Sequence, residues 1–396
     1  MSRTVKLLAI AESDAYVKWA AWMLLSSPAA WDTDLCLVDS VVAPSLRQLD
    51  ASLSGTAHQG ATVPRHGLVG LRQRVVDQRP DAVLLAMTGP MVAAVTAVLA
   101  TITGGARPVL VSGLPGVGLP VRHRAVRARR GIDVFVAHSR RERQEYAAGF
   151  RWNGAEVHVA LATLPFLVEA AAAAAARGTS DQDAATDRRV VFAAQPSVPA
   201  MRAERLELLR RLAALGPPSP VVKLRQVGVE RATHHEADPY GELLAELVAS
   251  GDLAGDALEL SCRPLGDVLA SASCLLTISS TAALEAIAAG VPVLIASDFG
   301  IGATQLNEVF AGSGLIGPIT PAALAAAGAP RPEWAVEHYF HPTDENDWVE
   351  VVAGAVTARG EGATKRTGSF DQLQLRAAGR AVARSTVASA RRAVGR

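Results

Sequence analysis

Residues 274–299, CLLTISSTAALEAIAAGVPVLIASDF, constrain the fold more than any other stretch of the chain. Residues 275–278 form a continuous apolar run of strand length, and 291–295 form another, rich in β-branched side chains. Between them residues 282–289 are almost all helix formers, closed by Gly290 at a helix C-cap position and by Pro292 just beyond. Strand, helix and strand in so few residues make a parallel βαβ unit. Its turn is Ser279-Ser280-Thr281, three hydroxyls where a strand ends and a helix begins. Unpaired backbone N–H groups and the helix dipole favour an anion at such a place. Glu285 lies one turn in, where a carboxylate can accept hydrogen bonds from vicinal sugar hydroxyls. The same residues also read as an N-cap serine, a structural βαβ unit and a glutamate paired with the helix dipole.

The alternation runs along the whole chain. Strands are expected at 5–10, 35–38, 82–86, 109–111 and 134–137, with helices at 15–25, 68–78, 91–102 and 121–130. The character changes at 170–187, where an alanine run ends in Arg177-Gly178 and a short polar, acidic segment follows. A second α/β pattern then starts, with strands at 190–194, 221–225 and 258–260 and helices at 203–215, 241–248 and 265–270. With 396 residues, two domains are the natural expectation. The fold class is therefore α/β, two Rossmann-like domains facing across a cleft. The first spans 1–170, a linker 171–187, the second 188–357, and a basic tail 358–396.

A formal net charge of +1 argues against nucleic acid as the partner. Cys36, Cys262 and Cys274 have no metal-binding or paired spacing and read as free thiols in a reducing compartment. Strand-like sequence begins at residue 5 with no leader-like apolar run, and 91–102 is too short to span a bilayer. A cytoplasmic protein is expected.

Several residues carry candidate chemistry. Glu12 and Asp14 follow the first strand, where α/β domains place ligands. The loop 112–120 puts Gly113, Pro115 and Gly116 at another strand end, either for close backbone approach to a ligand or as a rigid turn. It lacks the Lys-Ser/Thr of a P-loop and the spacing of a dinucleotide fingerprint. His123 sits in a basic cluster with Arg122, Arg124, Arg127, Arg129 and Arg130, a solvated helix face or a contact for an anionic acceptor. In the second half Gln195 follows a strand, and Lys223 and Arg225 place two cations near a strand exit. The cluster His234-His235-Glu236 and Asp238 lacks the i, i+4 and cysteine spacings of metal sites, as do His338 and His341. His234 reads instead as a loop group turned toward an anionic ligand or as plain surface. No metal is expected.

Taken together, Gln195-Pro196, Lys223-Leu224-Arg225, the Ser279-Ser280-Thr281 turn, Ala-Ala-Leu-Glu-Ala and Gly290-Val291-Pro292-Val293 resemble the nucleotide-binding half of GT-B glycosyltransferases. The hydroxyl turn is similar to the donor-phosphate motif of bacterial sialyl- and polysialyltransferases. The whole chain resembles an actinobacterial family of uncharacterised glycosyltransferases. The resemblance implies a nucleotide-sugar donor, CMP- or UDP/GDP-linked, held by the second domain, and a glycan, lipid-carrier or small-molecule acceptor on the first. The sialyltransferase pattern has a His-Pro pair before the turn, whereas here His341-Pro342 follows it, so the nucleotide stays open.

On that reading Ser279, Ser280 and Thr281 contact the donor phosphate, Lys223 or Arg225 supplies charge, and Glu285 meets the ribose. Asp14, with Glu12 as the alternative, is the catalytic base; Asp14 equally reads as a cap of the helix that follows. No cofactor is required beyond the sugar nucleotide as substrate, and no divalent metal. A sugar-nucleotide epimerase or hydrolase on the same fold, and a non-catalytic glycan-binding subunit, are the competing readings. In the tail Arg376, Arg380, Arg384, Arg392 and Arg396 recur at multiples of four. Such a stripe could make weak peripheral contact with anionic lipid at the inner face of the membrane, or pack back on the first domain.

Overall fold

The computed structural model describes residues 4–102, 107–177, 188–224 and 238–361. The chain divides into two compact units: residues up to Pro165 together with those from Glu337 on, and Phe166–Val336.

In the first unit β1 (Lys6–Ala11), α1 (Asp14–Leu25), β2 (Asp32–Val38), α2 (Leu46–Leu53), β3 (Arg65–His66), α3 (Leu68–Gln78) and β4 (Ala82–Ala86) come first. They are followed by α4 (Gly89–Leu99), β5 (Val109–Gly113), α5 (His123–Ala128), β6 (Val134–Ala137), α6 (Arg140–Trp152) and β7 (His158–Leu161). The seven strands are parallel in the order β3-β2-β1-β4-β5-β6-β7. The central strands are apolar almost throughout, apart from the exposed Lys6 that starts β1 and Ser112 in β5, because both faces are covered. Leu7, Ala9 and Ala11 of β1 face one layer with Trp19, Met23 and Leu49, while Leu8 and Ile10 face the other with Leu71, Val95 and Phe150. Alternate side chains of a strand point to opposite faces, so one run serves two cores.

The second unit holds α7 (Pro165–Arg177, all but its first residue), β8 (Arg189–Ala193), α8 (Arg202–Ala213), β9 (Val221–Lys223), α9 (Tyr240–Ala249), β10 (Glu259–Ser261) and α10 (Leu265–Ala270). Then come β11 (Ala272–Thr277), α11 (Ala282–Ala288), β12 (Val293–Ala296), β13 (Ile316–Gly317), α12 (Pro321–Ala325) and α13 (Pro332–Glu337, all but its last residue). The six strands are parallel in the order β10-β9-β8-β11-β12-β13. Phe192, Leu208, Val222, Tyr240, Leu243 and Leu276 form the core of one layer.

The division differs from the one expected at 188–357 and 358–396. The last described helix, α14 (Trp348–Gly360), belongs to the first unit, where Trp348 and Val352 are buried with Trp19 and Leu37. Asp347 anchors its start, accepting from the Leu161 N–H at 2.7 Å and pairing with Arg143 at 2.6 Å. Near its end Arg359 pairs with the buried Asp133 at 2.7 Å. An apolar stripe on a helix shows that it packs, but not on which sheet. The basic tail from 362 onward lies outside the described residues. Among the described residues no helix is long and apolar enough to cross a membrane.

In both sheets the first strand of the unit stands between the second and the fourth, so the strand order reverses there. Ligands of open parallel sheets bind outside the carboxyl ends of the strands at that reversal. The two places to inspect are thus the ends of β1 and β4, and of β8 and β11.

Candidate functional site

At the reversal of the second sheet the ends of β8 and β11 are tied by side chains. Thr277 Oγ1 donates to the Ala193 carbonyl at 3.0 Å and accepts from the Ser280 N–H at 3.3 Å. The Ser279 N–H donates to Gln195 Oε1 at 3.0 Å. Gln195 is held in turn by Arg205 of α8, a buried guanidinium that donates to the carbonyls of Gln195, Pro196, Pro199 and Asp238 and lies 4.8 Å from the Tyr240 ring centroid. A cation buried among four carbonyls and an aromatic face keeps its charge solvated by the protein. The loop after β8 is thereby tied to α8.

The three hydroxyls of the turn have different fates. Ser279 Oγ donates to the Leu306 carbonyl. Ser280 Oγ accepts from the Ala282 N–H at 3.2 Å, which leaves its own proton to donate elsewhere. Thr281 is the N-cap residue of α11, and its side chain makes no capping bond. All three are half-buried, as is Glu285 in the first turn of α11. Lys223 ends β9, the strand beside β8, and its ammonium donates to the Leu224 carbonyl among its contacts. Arg225 and His234 lie outside the described residues.

At the reversal of the first sheet Glu12 is buried at 4 % exposure. Its N–H donates to the Ala86 carbonyl at 3.1 Å, and its Oε2 accepts from the Thr88 N–H at 2.9 Å and the Thr88 hydroxyl at 2.7 Å. Glu12 therefore straps the end of β1 to the N-terminus of α4. Asp14 is the first residue of α1, half-buried, with Ser13 rather than Asp14 in the N-cap position. Nearby, Arg129 is buried and donates to the Tyr16 hydroxyl at 3.3 Å and to the Met87 carbonyl at 3.2 Å. Burial pushes the Tyr16 phenol up, Arg129 opposes this and Glu12 adds to it. Arg129 thus leaves the basic cluster for the interior, while His123 stays exposed at the start of α5.

The loop after β5 is fixed from within. A Cβ on Gly113 would stand 2.7 Å from Trp19 and 2.9 Å from the Val136 carbonyl, so this glycine makes room for an indole. Pro115 and Gly116 are half-buried in the same loop. The Gly118 N–H donates to Glu142 Oε1 at 2.6 Å; the same carboxylate accepts from the His138 N–H at 2.9 Å and the Tyr339 hydroxyl at 2.6 Å. Burial raises the Glu142 carboxyl, and these donors oppose the shift. Sequence reasoning passed over Arg205, His138 and Glu142, which are single polar residues without a motif. Among the described residues no group of three or more His, Cys, Asp or Glu is placed to hold a metal ion.

Two Rossmann-like parallel-sheet units, each carrying polar side chains at its strand reversal, place the protein in the GT-B-like α/β class. The chain belongs to the family described as "Putative glycosyltransferase (DUF6716)", whose profile matches residues 7–355. Among solved structures it resembles the Neisseria meningitidis UDP-GlcNAc 2-epimerase bound to UDP-GlcNAc, at 13% identity and a TM-score of 0.52 over 90% of this chain and 100% of that one. The Methanocaldococcus jannaschii UDP-GlcNAc 2-epimerase in complex with UDP-GlcNAc and UDP gives 12%, 0.51, 90% and 100% in the same terms. The Anabaena protein HepE in complex with UDP gives 14%, 0.50, 90% and 95%. No curated protein sequence matches the chain.

Proposed function

We propose that the protein is a metal-independent glycosyltransferase that takes its sugar from a uridine-diphosphate donor. The carrying observation is the Gln195–Ser279 hydrogen bond at the strand reversal of the second sheet, which presents the Ser280 and Thr281 hydroxyls at the carboxyl end of β11. Departure of a nucleoside diphosphate develops negative charge on phosphate oxygens, and fixed hydroxyl and amide donors stabilise that charge without reorganising. Lys223 adds a cation, Glu285 takes the ribose hydroxyls, and Arg225 and His234 belong to the same proposal. Uridine is favoured over cytidine because the structural neighbours are described with UDP or UDP-GlcNAc. The acceptor, a glycan or a lipid-linked sugar, is assigned to the first unit, with Asp14 as base.

Epimerisation is the second reading, favoured by the names of the 2-epimerase neighbours. NMR of UDP-GlcNAc incubated with the enzyme separates the two. A transferase releases UDP and free or transferred sugar, whereas an epimerase inverts C2 with the nucleotide still attached. Calorimetry with UDP, GDP and CMP tests the site itself: Ser280→Ala should weaken binding about tenfold, since a hydrogen bond to a charged group is worth about 1.5–3 kcal/mol. Unchanged affinity in both Ser280→Ala and Lys223→Ala removes the phosphate from this turn.

A further inference from the structure

After β12 the chain makes a loop whose side-chain anchor is Asn307, a fully buried residue. Both ends of its amide are used: Oδ1 accepts from the Gly302 N–H at 2.9 Å, and Nδ2 donates to the Gly300 carbonyl at 3.2 Å. The residue before it, Leu306, is held at φ 59°, a left-handed conformation that a branched side chain adopts only when its surroundings enforce it. The Leu306 carbonyl is the group that receives the Ser279 hydroxyl proton. We infer that Asn307 is a positioning residue for the donor-phosphate site, acting through Leu306 and Ser279. The inference rests on the donor reading given above.

Ser279 is fastened from two sides, its N–H on Gln195 and its O–H on Leu306. A serine hydroxyl has one proton, and this one is committed, so Ser279 does not donate it to a phosphate. Its work is to fix the backbone from which Ser280 and Thr281 project. Removing the Asn307 amide removes both side-chain hydrogen bonds that tie Gly300 and Gly302 to this position. Leu306 relaxes toward right-handed φ, its carbonyl turns, and Ser279 loses one of its two fasteners. Asn307 touches no ligand in this scheme and sets only the geometry of the groups that do.

The test uses the full chain, with UDP as the probe. Asn307→Ala and Ser279→Ala should each weaken UDP affinity several-fold by calorimetry, and the double variant should be no worse than the weaker single, because the two residues act in series. Hydrogen exchange should quicken at the amides of 279–284 in Asn307→Ala while the β11 and β12 amides keep their parental rates. Asn307→Asp, which keeps the acceptor for Gly302 but cannot donate to Gly300, gives an intermediate result and serves if the alanine variant does not fold. Unchanged UDP affinity in Asn307→Ala, or losses that simply add in the double variant, overturns the inference. If the parent binds none of UDP, GDP or CMP, the donor reading fails instead. In that case unaltered exchange at 279–284 in either Asn307 variant still refutes the positioning role.

Discussion

The indole N–H of Trp19 donates to Nε2 of His138 at 2.8 Å, edge-on at 83°, and so decides the tautomer of a wholly buried imidazole. Nε2 must accept, and Nδ1 therefore carries the hydrogen and donates to the Ala162 carbonyl at 2.8 Å. Burial pushes the His138 pKa down to about 4 from its ordinary 6.5. The folded state thus binds fewer protons than the unfolded one between those values. Its contribution is complete above the ordinary value and is lost as pH falls through about 4. Urea titrations from pH 7.5 to pH 4 should show of order 3 kcal/mol of stability lost to this group. His138→Gln should flatten that slope. Glu142 acts in the opposite sense, its raised carboxyl costing stability as pH rises above the ordinary carboxylate range, and it cancels when the variant is compared with its parent.

The two carboxylates after β1 should separate by experiment. Glu12→Ala leaves the Thr88 N–H and hydroxyl without their acceptor and should lower stability by about 1–3 kcal/mol in chemical denaturation. Asp14→Asn should leave the melting temperature and UDP affinity in place while turnover falls about a hundredfold or more, as loss of a general base does. A stability loss with activity kept per folded molecule assigns Asp14 to the helix instead.

Gly113→Ala should be destabilising by about 1–3 kcal/mol, because the added methyl meets the Trp19 ring and a strand carbonyl at once. The Tm of the variant checks this. Gly113→Ala combined with Trp19→Phe should recover part of the loss by clearing the space. Without such recovery the clash with the carbonyl dominates.

Trp348 packs edge-on against Trp31 at 5.8 Å in the core of the first unit and is 5 % exposed. Trp348→Ala should cost about 3–5 kcal/mol. Hydrogen exchange should show the loss in β5, β6 and β7 of the first unit and not in β8 or β11.

Largely buried apolar strands were legible in the sequence: β1, β4, β6 and β8 lie within a residue of the runs read as strands, while β11 begins three residues before the run read at 275–278. The two-residue ones were not. Arg65–His66 and Ile316–Gly317 become strands only because a neighbouring edge offers hydrogen bonds, which no local pattern records. The hydroxyl turn was visible because its residues are contiguous. The partners that shape it, Gln195 and Leu306, stand 84 and 27 residues from Ser279, and Leu306 was not foreseen at all. Gly113 was read as room for a ligand or a rigid turn, while the indole that fills the space comes from a helix nearly a hundred residues earlier in the chain.

The first unit closes only when α14 is in place, since Trp348 and Val352 complete a core begun at Leu7. During synthesis its seven strands leave the ribosome well before that helix does. At about 5–20 residues per second the wait is on the order of ten seconds or more. For that time one face of the sheet has no cover over part of its apolar surface, and by the time α14 is made the second unit, whose strands are continuous in the chain, already has all of them. The unit made first is thus the last to be finished, and chaperone demand should centre on the nascent N-terminal half.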